Sequence, residues 1–306
     1  MKNLQVNQDQ ENTRLDHFLV EQLNLSRKKV KQLIDEGRIF LGDRKIIIAS
    51  WKLHSGDQLK VLEEQEEMKT PRRERYLKIY HEDAYLLVVE KPPGVACEAS
   101  AQTLSSTLVD DINDYLKRVH PDKPHPYIGL MHRLDRETSG VMVYTLSHRA
   151  NKLSEQFKKH SIKRSYLALV EGSVANFQGQ LASQLVKDSR GKKVRVGSSK
   201  NQASAKQAFT EFFVKERYDK ITLLELKLKT GRTHQIRAHL ANMGHPVVGD
   251  KLYGSRIKAP RHLLHASYLE FIHPLSGKKM AFRSKAPKDF QKFLERFRGE
   301  SLRLKN

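Results

Sequence analysis

His132-Arg133-Leu134-Asp135-Arg136-Glu137-Thr138-Ser139-Gly140 runs directly into Val141–Leu146, an apolar stretch that reads as a buried strand. The stretch before the strand packs charges, hydroxyls and a glycine around one apolar residue, Leu134. A polar loop held by a rigid sheet is a common carrier of function. Asp135 lies between Arg133 and Arg136, whose charges favour its ionised form. A structural reading competes with this one: Asp135 closes an Asx-type turn and Gly140 supplies a positive φ.

Working outward, Tyr85–Val89 reads as a strand ending in the turn Lys91-Pro92-Pro93-Gly94. Ser147 caps a helix whose apolar face includes Ala150, Leu153 and Phe157. Tyr166–Val170 is a strand, and Leu224, Leu226 and Leu228 alternate with Glu225, Lys227 and Lys229 on another. Thr233 opens a helix running through Met243, stopped by Gly244. Strands outnumber helices and do not alternate with them in βαβ units, so the fold class is α+β rather than doubly wound α/β.

Upstream is a smaller unit, from about Thr13 to Leu62. Leu15, Phe18, Leu19 and Leu23 recur at helical spacing. Ser26 caps a second helix with Val30, Leu33 and Ile34 on its apolar face and Gly37 as its stop. Strands are expected at Arg38–Leu41 and Lys45–Ile48, around Gly42-Asp43, and at Gln58–Leu62. The stretch 63–75 is acidic, then basic, with few apolar residues, and reads as a charged linker. The expected organisation is residues 1–62, a linker over 63–75, and a main domain over 76–306.

The chain has 306 residues and a formal net charge of +21. That charge points to a polyanionic partner, nucleic acid or an anionic membrane surface. A single cysteine, Cys97, excludes an intramolecular disulfide framework and any zinc site needing several thiolates. The N-terminus is polar, and the apolar runs are short, as in Leu86-Leu87-Val88-Val89. A membrane role is therefore not expected, and a cytoplasmic location is.

Three basic segments stand out besides the Asp135 loop. Lys229-Thr230-Gly231-Arg232-Thr233-His234-Gln235-Ile236-Arg237-Ala238-His239 passes from a strand through a turn into a helix. Such a helix start with Arg232, Thr233 and Arg237 suits an anion, although a solvated basic face is the plainer alternative. His234 and His239 are five residues apart and do not share a helical face, which argues against a metal. In Lys163-Arg164-Ser165-Tyr166, the tyrosine is either a packing residue or a ring offered to a base. Ser26-Arg27-Lys28-Lys29 places cations at a helix N-terminus, where the dipole disfavours them and a phosphate would be welcome. Walker-type, G-x-G-x-x-G and G-x-S-x-G signatures are missing.

In this order, the segments resemble the RluA family of pseudouridine synthases. The resemblance rests on His132-Arg133-Leu134-Asp135-x-x-Thr138-Ser139-Gly140, Lys163-x-x-Tyr166-x-Ala168-Leu169-Val170 and Gly231-Arg232-Thr233-His234-Gln235-Ile236-Arg237-x-His239. Lys91-Pro92-x-Gly94, Gly244-His245-Pro246-x-x-Gly249-Asp250-x-x-Tyr253-Gly254, His262-Leu263-Leu264-His265-Ala266 and Phe271-x-His273-Pro274-x-x-Gly277 extend it over residues 76 to about 292. The first unit resembles an S4-like RNA-binding domain through Arg14-Leu15-Asp16-x-x-Leu19 and Ser26-Arg27-x-x-Val30-x-x-Leu33-Ile34-x-x-Gly37-Arg38-Ile39. After Gly94 many relatives reach a His-Pro pair; here the chain reads Val95-Ala96-Cys97-Glu98-Ala99.

The resemblance implies a small S4-like α/β domain followed by a mixed, mostly antiparallel sheet. It implies isomerisation of uridine to pseudouridine in RNA, with no cofactor and no metal. Asp135 would be the catalytic carboxylate, Arg232 would pair with it, and Tyr166 would pack on the uracil. RNA contacts are expected from Arg14, Ser26, Arg27, Lys28, Lys29, Arg38, Arg133, Arg136, His234 and Arg237. Large-subunit ribosomal RNA is the expected substrate and a monomer the expected state. A transfer RNA enzyme and a non-catalytic ribosome-assembly factor are the alternatives.

Overall fold

A computed structural model describes residues 2–62, 77–99, 106–188, 193–197 and 205–303, without side chains for 28 and 299–303. The charged linker expected over 63–75 lies outside the described residues. The chain divides into two compact units, Met1–Tyr76 with Glu98–Thr107, and Leu77–Cys97 with Leu108–Asn306.

The first unit contains β1 (Lys2–Gln5), α1 (Leu15–Leu23), α2 (Arg27–Asp35), β2 (Ile39–Leu41), β3 (Arg44–Ile46) and β4 (Gln58–Val61). The four strands form one sheet in the order β1-β4-β2-β3. Its core joins Leu15, Phe18 and Leu19 of α1 to Val30 and Ile34 of α2 and to Ile39, Leu53 and Leu59. Both helices bury the face that the 3.6-residue period marks. Ser26 caps α2 by accepting from the Lys29 amide at 3.3 Å, and Gly37 ends it at φ +65°. The unit begins earlier than the apolar pattern indicates: β1 pairs along β4, and Val6 is buried. Leu4 and Val6 alternate there, but a four-residue edge strand with one half-buried side chain is too short a pattern to mark a strand.

The second unit contains β5 (Lys78–Glu82), β6 (Leu86–Lys91), α3 (Leu108–Val119), β7 (Gly129–Leu130), β8 (Ser139–Thr145), α4 (Leu153–Lys158) and β9 (Lys163–Glu171). It continues with β10 (Gln178–Lys187), β11 (Val194–Val196), β12 (Lys206–Arg217), β13 (Ile221–Leu228), α5 (Gln235–Asn242), β14 (Leu264–Ile272), β15 (Lys279–Arg283) and α6 (Lys288–Arg303). One sheet takes in all eleven strands, along the path β11-β10-β12-β13-β9-β14-β8-β6-β5, with β15 on β14 and β7 on β8. The fold is α+β, with a mostly antiparallel sheet. On one face Leu108, Ile112 and Leu116 of α3 and Ile236 and Leu240 of α5 pack against Val89, Met142, Tyr166 and Leu226. The other face is covered by Leu153 of α4 and by Phe290 and Leu294 of α6.

The pairing of β8 with β14 is parallel, His265 opposite Ser139 and Ala266 opposite Gly140. It joins the two halves of the sheet immediately after the Asp135 loop. Gly140 has φ +130°, and a Cβ there would stand 2.2 Å from the Ala266 carbonyl oxygen. Both the backbone angle and the approach require glycine. Gly140→Ala is expected to cost more than about 1 kcal/mol, read as a lower urea midpoint. An unchanged midpoint would contradict this account of the junction.

Candidate active site

The loop between β7 and β8 presents Asp135, and its neighbours are fixed from both sides. Lys91, at the end of β6, is fully buried and donates from Nζ to the carbonyls of Pro92 at 3.0 Å, Val95 at 2.7 Å and Arg136 at 2.8 Å. The Arg136 carbonyl also accepts from the Gly94 amide at 2.9 Å, and Arg136 Nε donates to the Gly94 carbonyl at 3.0 Å. On the other side of Asp135, the Cys97 thiol donates to the Leu134 carbonyl at 3.2 Å and accepts from the Leu134 amide at 3.3 Å. The segment that departs from the His-Pro pattern thus grips the loop. Downstream, Thr138 Oγ1 meets His262 Nε2 at 2.8 Å and Ser139 Oγ meets His265 Nδ1 at 3.0 Å.

Asp135 itself meets Arg237. Arg237 Nη1 donates to Asp135 Oδ2 at 2.8 Å, while Nε and Nη2 donate to the two oxygens of Asp250 at 2.6 and 2.9 Å. The Arg237 side chain is 7% exposed, that of Asp250 is 1% exposed and that of Asp135 is 22% exposed. Burial works against ionising Asp135, but His234, the Arg237 charge and hydrogen bond, and His262 outweigh it and hold the carboxyl below its ordinary range. Burial depresses His234 and brings His262 down to about 4. At neutral pH the permanent cation beside Asp135 is therefore Arg237.

The expected pairing of Arg232 with Asp135 is corrected by this geometry. Arg232 is exposed, and its Nε donates to the Gln207 carbonyl at 3.2 Å. The reason is the start of α5. The helix begins at Gln235 rather than Thr233, with His234 left-handed at φ +52°. Gln235 holds this turn: its Oε1 accepts from the Arg232 amide at 3.0 Å and from Thr230 Oγ1 at 2.8 Å. Its Nε2 donates to the Phe209 carbonyl at 2.9 Å. Arg232 is left on the turn and Arg237 falls on the inward face. Burial between two carboxylates also removes Arg237 from the residues expected to meet RNA. His234 faces Asp135, with Nε2 3.7 Å from Oδ1.

Tyr166, on β9, is buried and lines the same cleft as Arg133, Leu134, Asp135, Thr138 and Arg232. Burial raises its phenol, Arg164 opposes that and Asp135 adds to it, so the hydroxyl keeps its proton at neutral pH. Arg133, Arg136 and Arg27 are exposed. Arg14 pairs with Asp16 at 2.7 Å and Arg38 with Glu36 at 3.5 Å. Lys29 is half-buried at the start of α2, and the Lys28 side chain lies outside the described residues. His239 contacts Ser183 Oγ and Thr210 Oγ1, each at 2.9 Å.

Asp250, Gln235, Lys91 and Cys97 are the parts of this machinery that reading the chemistry of side chains one by one did not single out. Lys91 and Asp250, like Gln235, stand within the family's motifs, and that was the available signal. No spacing rule connects either to Asp135.

The S4 domain family matches residues 13–59 and the RNA pseudouridylate synthase family matches residues 85–242. An uncharacterised RNA pseudouridine synthase of Aquifex aeolicus is 34% identical over 92% of this chain and 92% of its own. Ribosomal large subunit pseudouridine synthase C of Buchnera aphidicola is 33% identical over 90% of each chain. Among solved structures, human RNA pseudouridylate synthase domain containing 4 aligns with a TM-score of 0.61 and 25% identity, over 72% of this chain and 93% of that one. The chain belongs to the RNA pseudouridine synthase family. It is an isomerase that converts uridine to pseudouridine in RNA, and it carries an S4 domain at its N-terminus.

Two measurements check the geometry. Arg237→Met leaves the Asp250 carboxylate buried without a counter-charge, a loss of about 3–5 kcal/mol in urea unfolding. Arg232→Met removes an exposed guanidinium and should stay within about 0.5 kcal/mol; equal losses would refute the assignment. Separately, burial holds His239 at about 4, His262 at about 4 and His132 at about 3. Unfolded histidine titrates near 6.5, so these groups stabilise the fold fully above that pH. The contribution is lost as pH falls from about 6.5 towards the folded values, because the unfolded chain takes up protons first. The melting temperature should fall across that window, less steeply in His239→Gln. A flat profile in both would overturn the linkage.

Proposed function

We propose that this enzyme isomerises a uridine of large-subunit ribosomal RNA and that Asp135 is its catalytic carboxylate. One observation carries the catalytic part: an ionised carboxylate, charge-paired to a buried arginine, shares a cleft with a buried tyrosine ring. The relatives named ribosomal large subunit pseudouridine synthase, C and D among them, support the choice of RNA.

In this reading Asp135 acts on the sugar, as nucleophile or base. The N1–C1′ bond breaks, the uracil turns against the Tyr166 ring, and C5 bonds to C1′. The proton lost from C5 is matched by the proton gained at N1, so no atom is gained or lost. Arg237 keeps Asp135 charged and aimed. The uridine is flipped from its stack at a cost of a few kcal/mol, offset by phosphate contacts from Arg133, Arg136, Arg232 and the Arg27–Lys29 turn. The enzyme acts in the cytoplasm as a monomer.

Asp135→Asn should bind RNA nearly as the wild type does and form no pseudouridine. Mapping pseudouridine across cellular RNA in cells with the gene, without it, and with Asp135→Asn tests both parts. Loss of a ribosomal position without the gene, restored by the wild type only, is the expected result. A lost position in transfer RNA would overturn the substrate, and restoration by Asp135→Asn would overturn the catalytic role.

A further inference from the structure

Arg164 stands two residues before Tyr166 on β9. Side chains two apart leave a strand on the same face, so Arg164 starts beside Tyr166, and its guanidinium reaches from there to Phe157 of α4 and to Gly231. Its Nε is buried with no hydrogen-bond partner, and no carboxylate among the described residues pairs with it. Its guanidinium carbon lies 5.7 Å from the Phe157 ring centroid, a weak contact for a full charge. A buried donor without an acceptor is costly to keep, and natural structures keep few.

Gly231 makes room for this group. A Cβ at Gly231 would stand 2.6 Å from Arg164 Nη1 and 3.3 Å from Nη2. Gly231 is not among the residues with positive φ, so the backbone does not call for glycine there. What the missing side chain leaves open is the space the guanidinium occupies. The next residue, Arg232, lines the cleft with Tyr166 and Leu228. The charge of Arg164 also reaches the site: it adds to the burial that depresses His132 and opposes the burial that raises Tyr166.

We propose that Arg164 binds a backbone phosphate of the RNA strand beside the uridine packed on Tyr166, and that Gly231 is glycine so that the guanidinium can reach it. The inference rests on the reading that this cleft receives the reacting uridine. A guanidinium presents its N–H groups as a planar fork that matches two phosphate oxygens. A phosphodiester would accept from Nη1 and Nη2, the Arg164 donors that are not closed off as Nε is. Arg164 would then hold the strand, leaving the bond-breaking to Asp135.

The test uses the full chain and an in vitro transcript of large-subunit ribosomal RNA bearing uridine tritiated at C5. Tritium release reports turnover, and filter binding at several salt concentrations reports affinity. Arg164→Met should raise Kd and KM about tenfold, with kcat within about twofold. It should make the salt dependence of log Kd shallower by about 0.7–0.9, one phosphate contact. Arg164→Lys should restore the slope but only part of the affinity, because the fork is lost. Gly231→Ala should give part of the Arg164→Met shift, since the flexible guanidinium is pushed aside rather than removed, and add nothing to it in the double variant. An unchanged slope, or a fall in kcat or melting temperature alone, would overturn the proposal. Failure of the wild type to release tritium would instead overturn the uridine reading, and the binding slopes would still decide the fate of Arg164.

Discussion

One guanidinium between two carboxylates organises the candidate active site. Arg237 gives two of its N–H groups to Asp250 and one to Asp135. The division matters electrostatically. A buried arginine facing one carboxylate would neutralise it; shared between two, it leaves the trio with a net negative charge. Asp250 is deeply buried and takes the bidentate contact, while Asp135 takes a single bond and remains partly open to the cleft. Asp135 is thus kept ionised without having both oxygens occupied by the arginine. Asp250 is itself fixed, accepting from the Tyr253 amide at 3.2 Å, and the Tyr253 hydroxyl donates to the Val194 carbonyl at 2.8 Å. The position of Asp135 therefore traces back through Arg237, Asp250 and Tyr253 to β11, at the far edge of the sheet.

The loop bearing Asp135 is determined just as heavily by its backbone. Lys91 and Gly94 hold the carbonyl after it and Cys97 holds the peptide before it. Burial brings the Lys91 ammonium down to about 8, yet its carbonyl acceptors satisfy it without a carboxylate partner. Neutral acceptors pin the loop and leave the charge balance around Asp135 alone. The same economy appears at Thr138 and Ser139, which meet histidines that burial keeps neutral.

How much of this was legible in the chain follows from the range of each interaction. The apolar period marked α1 and α2, and alternation marked β13, because those patterns are local. The cap at Ser26 and the stop at Gly37 were readable for the same reason. Asp135 and Tyr166 stood out as residues of unusual chemistry in rigid surroundings. The partner of Asp135 was not readable. Arg232 and Arg237 are both cations near one helix start, and the choice between them turns on where α5 begins. His234 in the left-handed region delays that start to Gln235, which a positive φ on a non-glycine residue does not announce. Strand β1 left only Leu4 and Val6 as an apolar trace, too short a pattern to mark a strand.

The excess positive charge looks different once these contacts are known. A charge bound inside an ion pair cannot also bind a phosphate, so the +21 of the chain overstates what is available at the cleft. Arg237 is spent on carboxylates and Arg261 on Asp289 at 2.6 Å. At the cleft, Arg133 and Arg232 are exposed at the rim and Arg164 stands behind them next to Tyr166. This partition has a physical logic. Rim charges attract a polyanion through water, where screening lets them release it again. A cation buried at the floor acts on Asp135 with little screening, and a phosphate reaching it would strip the carboxylate of its partner. Keeping Arg237 committed to Asp250 is what lets a strongly basic surface surround a carboxylate without disturbing it.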